Sequence, residues 1–215
     1  MSRSIRPEPA MATTGPLRPR RTAPVVTLTL AAALLALGAP GLPARGAAAP
    51  SAPDPGGARG AFLEAYRVFT HPRCINCHPA GDAPLQGDDG RPHGQNVTRG
   101  PDGKGRGPLK CANCHQEANL PGENMPPGNP GWHLPPPATP MVFESRSPGD
   151  LARQLKDPGR TGGRTLAQLL RHVEEDPLVL WGWDPGDGRT PPPLTHAEFV
   201  ARMKEWIDKG ADAPE

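Results

Sequence analysis

The sequence predicts a mainly α domain in which short helices are joined by long Pro/Gly-rich coil, and three observations predict it. Pro 32 and Gly 26 make up 27% of the 215 residues, too much for long regular elements. Leu, Val, Phe and Ile together reach only 16%, so aliphatic packing alone is too scarce to offset the entropy of ordering the backbone. Apolar residues recur at helical spacing in four places, and no strand-like alternation of useful length appears. The formal charge of +2 argues against a self-repelling tail. One modest compact domain is expected, with something other than side chains filling its core, and a large doubly wound α/β enzyme is excluded.

Residues 1–22 carry Arg3, Arg6, Arg18, Arg20 and Arg21 against Glu8, and the apolar run from Val25 to Leu37 is followed by small residues up to Ala49. This reads as a signal peptide over residues 1–48, with an uncleaved anchor as the rival reading, and hence export to a bacterial periplasm. Its removal leaves 18 Lys+Arg against 21 Asp+Glu, a balance that offers nucleic acid no basic surface. No membrane-spanning segment follows. Residues 49–60, almost all Ala, Pro, Ser, Gly and Asp, read as a flexible linker to a domain over 61–211, with 212–215 as a tail.

Within the domain, Phe62, Leu63, Tyr66 and Phe69 predict an amphipathic helix that ends at Pro72. Residues 79–110 and 116–142, dense in Gly, Pro, Asp and Asn, predict ordered coil that needs a scaffold to lie against. Ser147-Pro148-Gly149-Asp150 starts a second helix ahead of Leu151 and Leu155. Thr165 with Gln168 forms a capping box for a third, whose face carries Leu166, Leu169, Leu170 and Val173. Thr195 with Glu198 caps a fourth, with Leu194 and Phe199 at staple spacing. There Phe199, Val200, Met203, Trp206 and Ile207 form one stripe that stops at Gly210.

The chemistry lies in two identical spacings, Cys74-Ile75-Asn76-Cys77-His78 and Cys111-Ala112-Asn113-Cys114-His115. Cys-x-x-Cys-His is the attachment pattern of c-type haem. Two sulfurs on one helical turn meet the two vinyl groups of a porphyrin, and the next residue sets its imidazole under the iron. A redox disulfide or a zinc site is the rival reading of paired cysteines, but neither needs a histidine immediately after both pairs. Two haem c groups are therefore expected, held at Cys74, Cys77, Cys111 and Cys114, with His78 and His115 as proximal ligands. Each ring is a rigid apolar plate that replaces missing aliphatic core, so the apoprotein is expected to be unfolded or nearly so. Only 37 residues separate Cys74 from Cys111, so both haems must share one domain and lie close together.

A strong sixth ligand closes an iron to substrates, which makes the distal ligands decisive. Met125, His93 and His172 are the candidates. Met125 opens a Met-Pro-Pro-Gly segment, His93 lies in the glycine-rich connection, and His172 flanks the apolar stripe of its helix. His71 is too near its own motif to ligate that iron but could reach the neighbouring one, His133 is harder to place in coil, and His196 reads as a cap-adjacent surface residue. Met203 and Met141 read as packing. Trp181 and Trp183 could stack on a porphyrin, and Arg73, Arg99, Arg106, Arg160 and Arg164 could pair with its propionates.

With these motifs the chain resembles a small dihaem c-type cytochrome, and the expected fold becomes a compact dihaem cytochrome c-like domain. More specifically, His71-Pro72-Arg73-Cys74-Ile75-Asn76-Cys77-His78-Pro79, Pro84 to Asp89, Asn124 to Gly128 and Leu180 to Trp183 resemble exported cytochrome subunits associated with isoquinoline 1-oxidoreductase-like molybdenum hydroxylases. The resemblance implies electron transfer from such an oxidoreductase towards a respiratory acceptor, with redox proteins as partners and no activity of its own. Nothing in the chain could bind a molybdenum cofactor. The alternatives are a dihaem peroxidase-like enzyme, whose two-domain build fits poorly with a 37-residue separation, and a haem-bearing structural subunit of a larger redox complex.

Overall fold

The computed structural model describes residues 52–215, so the expected signal peptide lies outside the described residues. Six helices carry the domain: α1 (Pro55–Phe69), α2 (Pro72–Ile75), α3 (Pro148–Lys156), α4 (Leu166–Glu175), α5 (Pro177–Leu180) and α6 (His196–Asp208). Two antiparallel ladders of two residues each interrupt the long coil. One pairs β1 (Leu85–Gln86) with β2 (Arg91–Pro92), and the other pairs β3 (Gly105–Arg106) with β4 (Leu109–Lys110). Among the described residues no helix is long and apolar enough to cross a membrane.

The first helix starts earlier than its apolar pattern suggests. Asp54 caps it by accepting from the Gly57 amide at 2.9 Å, and Pro55 supplies a pre-set first turn. Residues 55–60 are therefore helix and not flexible linker. Glycine content masks the signal, but Ala58 is fully buried and the Asp54 amide donates to the Lys209 carbonyl at the end of α6, so tertiary packing supplies what propensity lacks. Ala58, Ala61, Phe62, Ala65, Val68 and Phe69 then form one buried stripe at helical spacing.

That stripe lies against α6, which the Thr195/Glu198 capping box starts and whose buried residues are Phe199, Met203 and Trp206. Phe62 meets Trp206 at a ring-centroid distance of 4.8 Å, and Phe69 takes Phe143 and Phe199 edge-on at 5.1 and 5.2 Å. Such pairs add about 0.5–1.5 kcal/mol each beyond the area they bury. The helical half thus has an aromatic side-chain core of its own, which corrects the expectation that only a bound group could fill it. Residues 212–215 are not a loose tail either: the Asp212 carbonyl accepts from the Trp206 indole at 3.0 Å, its carboxylate pairs with Arg59, and Pro214 is buried.

The remaining helices close the other sides. Ser147 caps α3, whose buried Gln154 donates to the Val142 carbonyl at 2.8 Å and ties the helix to the coil. Thr165 and Gln168 complete the capping box of α4, and Asp176 ends α4 and caps α5 with the same residue. The coil is held by side chains. Arg99, 2% exposed, donates to the Pro135 and Gly81 carbonyls at 2.6 and 3.1 Å. Gly103 crosses so close to this segment that a Cβ would fall 1.9 Å from the Leu134 carbonyl oxygen, and its φ of +80° suits glycine.

Candidate functional site

Both cysteine pairs sit on a single turn with the same internal bonding. In the first, His71 caps α2 by accepting from the Arg73 amide, the Cys77 amide donates to the Cys74 carbonyl at 3.2 Å, and the His78 amide donates to it at 3.1 Å. In the second, a 3-10 turn over Cys111–Asn113 brings the Cys114 and His115 amides to the Cys111 carbonyl at 3.2 and 2.9 Å. The spacing therefore places both sulfurs and the imidazole on one compact turn in each case.

Both histidines are also oriented in the same way. His78 Nδ1 donates to the Met141 carbonyl and His115 Nδ1 to the Pro127 carbonyl, each at 2.7 Å. That bond fixes the tautomer and leaves Nε2, which has no hydrogen-bond partner among the described residues, free to act as a ligand. Burial keeps both rings neutral: it pushes the His78 pKa down to about 4 and lowers that of His115. An aromatic plate lies along each ring, Phe143 on His78 at 3.9 Å and Trp132 on His115 at 4.4 Å, with interplanar angles of 13° and 7°. Burial likewise pushes the thiols of Cys74 and Cys77 up to about 12 and about 11, so both stay protonated at neutral pH.

Each motif opens on its own cavity. Cys111, Cys114 and His115 line one of about 500 Å³, which also holds His93, Trp181 and Arg189. Cys74 and His78 line a narrower one of about 180 Å³, with His172, His133, Met141 and Asp176. Arg73 and Cys77 line both, so the two cavities abut.

The distal candidates fare differently. His93 faces the second motif: its ring centroid is 6.2 Å from that of His115, and its Nδ1 bonds the Gly94 carbonyl at 2.9 Å. A metal bound at about 2.0 Å by two opposed imidazole nitrogens would hold the ring centroids roughly 6 Å apart, so the spacing of this pair would allow both rings to bind one metal. His172 lines the narrower cavity of the first motif, its Nδ1 paired with Asp176 at 3.2 Å and its pKa lowered chiefly by burial. Met125 reaches neither cavity. Its side chain is 41% exposed, and the segment serves the second motif instead through the Pro127 carbonyl on His115.

The other singled-out residues have structural duties. His196 Nε2 bonds the Val173 carbonyl at 2.8 Å and His71 caps α2, and neither lines either cavity, whereas His133 lines the cavity of the first motif from exposed coil. Met203 is 1% exposed in the aromatic core, and Met141, at φ +48°, turns its carbonyl to His78. Trp181 meets Trp132 edge-on at 4.9 Å and Trp183 bonds the Leu194 carbonyl. Among the arginines, Arg99 braces coil, Arg160 bonds Gln154, Arg106 is exposed on β3, and Arg164 lines the first cavity. Arg73 differs from all of these: its side chain is 1% exposed, it donates to the Gly87 carbonyl and Asp88, and its buried Nε has no acceptor.

Phe143, Trp132, Asp176 and Arg189 escape sequence reasoning. For Asp176 a signal exists, a carboxylate four residues after His172 on a helix. For the two plates stacked on the histidines none does, because they reach the motifs from coil 17 or more residues away. No family model matches the chain, and comparison with curated proteins and with solved structures returns no match.

Proposed function

We propose that the protein is an exported electron carrier with two covalently attached haem c groups, one on each Cys-x-x-Cys-His turn. The observation that carries this reading is the pairing of His115 with His93 across a cavity lined by Cys111 and Cys114, with the centroids 6.2 Å apart. Haem c in such a site would supply a one-electron Fe(III)/Fe(II) couple. The residues themselves do the rest. Carbonyls of Met141 and Pro127 hold the proximal imidazoles in one tautomer, and stacked Phe143 and Trp132 fix their planes. His93 and His172 offer second nitrogens that would leave each iron without an open position, which favours electron transfer over substrate chemistry. Arg73, with an orphaned buried donor between the cavities, suits a carboxylate at either one.

The donor set fits at both motifs, while the space differs. The larger cavity is within the usual range of ligand pockets, about 300–1,000 Å³, and the narrower one falls below it. Coil from His133 to Met141 forms one wall of the narrow cavity, which as it stands is smaller than a porphyrin plate needs. In this reading the carrier works in the periplasm, exchanging electrons with redox proteins such as a molybdenum hydroxylase and a respiratory acceptor. Two covalent haems per chain, measured by reduced pyridine haemochrome together with the intact mass of protein matured in a c-type-competent host, are the expected result. A colourless product with zinc or disulfides at the four cysteines would overturn it.

A further inference from the structure

Four of the histidines that line the cavities hand Nδ1 to a backbone carbonyl: His78 to Met141, His115 to Pro127, His93 to Gly94 and His133 to Gly131. His172 alone sets it beside a carboxylate, Asp176 Oδ2 at 3.2 Å. The other oxygen of Asp176 is committed too, since Oδ1 accepts from the Leu178 amide at 2.8 Å and caps α5. One side chain thus closes α4, opens α5, and is held against the imidazole from a fixed direction. Its carboxylate also lines the cavity of the first motif.

Resting on the dihaem reading, we propose that Asp176 is a positioning residue that makes His172 the distal ligand of the first-motif iron and lowers the reduction potential of that iron alone. A carboxylate accepting from Nδ1–H orients the ring and raises the basicity of Nε2, and a more basic ligand favours the ferric state over the ferrous. A backbone carbonyl does the same more weakly. Competing contacts around His172 are the cationic Arg164 and the second imidazole of His133, neither of which can accept a proton bond as an anion does. His133 is the other imidazole in this cavity, but it stands in exposed coil with no carboxylate behind it.

The test uses the holoprotein and two variants, Asp176→Asn and Asp176→Ser. Both residues cap helices as well as Asp does, so the α4–α5 corner is kept while the charge is removed. Spectroelectrochemical titration should resolve two waves in the parent protein. In the variants one wave should move to higher potential, so that at a fixed poise its reduced-to-oxidised ratio rises at least about threefold, with the other wave in place. Low-spin spectra and two haems per chain by pyridine haemochrome should persist. Waves that stay put in a variant with two haems, or that both move equally, would overturn the role of Asp176 and leave the dihaem reading standing. A parent protein without haem would instead sink that reading, and this inference with it.

Discussion

At the scale of single residues, the site is built from imidazoles whose second nitrogen is already spoken for. Because His115 and His93 both spend Nδ1 on carbonyls, each has one nitrogen left to give, and the two rings face a common space. If the proposed dihaem reading holds, replacing His93 by Ala should leave two haems attached but convert one from low-spin to high-spin ferric, seen in the visible and electron paramagnetic resonance spectra. Replacing Met125 by Ala should change neither haem, since its exposed side chain reaches neither cavity. Should Met125→Ala give the high-spin signal and His93→Ala give none, the axial assignment would be reversed. Gly128 makes a quieter contribution beside them. A Cβ there would fall 1.9 Å from the Ala118 carbonyl oxygen, so Gly128→Ala should displace the Pro127 carbonyl from His115 and loosen that ring.

At the scale of elements, the two terminal helices carry the stability. Trp206 is fully buried, packs at a tilt against Phe62 and bonds the Asp212 carbonyl, so Trp206→Ala should cost about 3–5 kcal/mol and lower the thermal midpoint well beyond any surface change. The start of α1 is pH-sensitive for a separate reason. The Gly57 amide, then Lys209, holds the Asp54 carboxyl below its ordinary range. A lowered carboxylate pKa contributes stability that is present above the unfolded value and lost as pH falls through the folded one. Protection factors for amide exchange over residues 55–60, corrected for the intrinsic rate at each pH, should therefore fall as the solution is acidified below about pH 4, and Asp54→Ala should abolish that dependence. The caps at Ser147, Thr165 and Thr195 were legible in the sequence because each is a local pattern of hydroxyl, spacing and acid or amide. The start of α1 was not, because two glycines and a proline imitate a linker and only contact with α6 reveals the helix. The same division runs through the site. Cys74 to His78 and Cys111 to His115 are readable from spacing alone, whereas Phe143 and Trp132 reach their imidazoles through folding of distant coil.

At the scale of the whole molecule, the two cavities share a wall, and that wall is charged. Arg73 and Cys77 line both, and the Arg73 guanidinium is almost wholly excluded from water while its partner Asp88 is 41% exposed. Water screens the carboxylate far more than the cation, so the pair presents a net positive field to either cavity. A nearby positive charge favours the reduced, less positive state of an iron centre. On the proposed dihaem reading, Arg73→Met, which keeps much of the apolar stem and removes the charge, should therefore lower both midpoint potentials together. Asp176→Asn works in the opposite sense and on one centre only, which makes the two substitutions a matched pair in the same titration. If Arg73→Met moved a single wave, the cavities would not be sharing the charge, and the close approach of the two centres inferred from Cys77 lining both would fail with it.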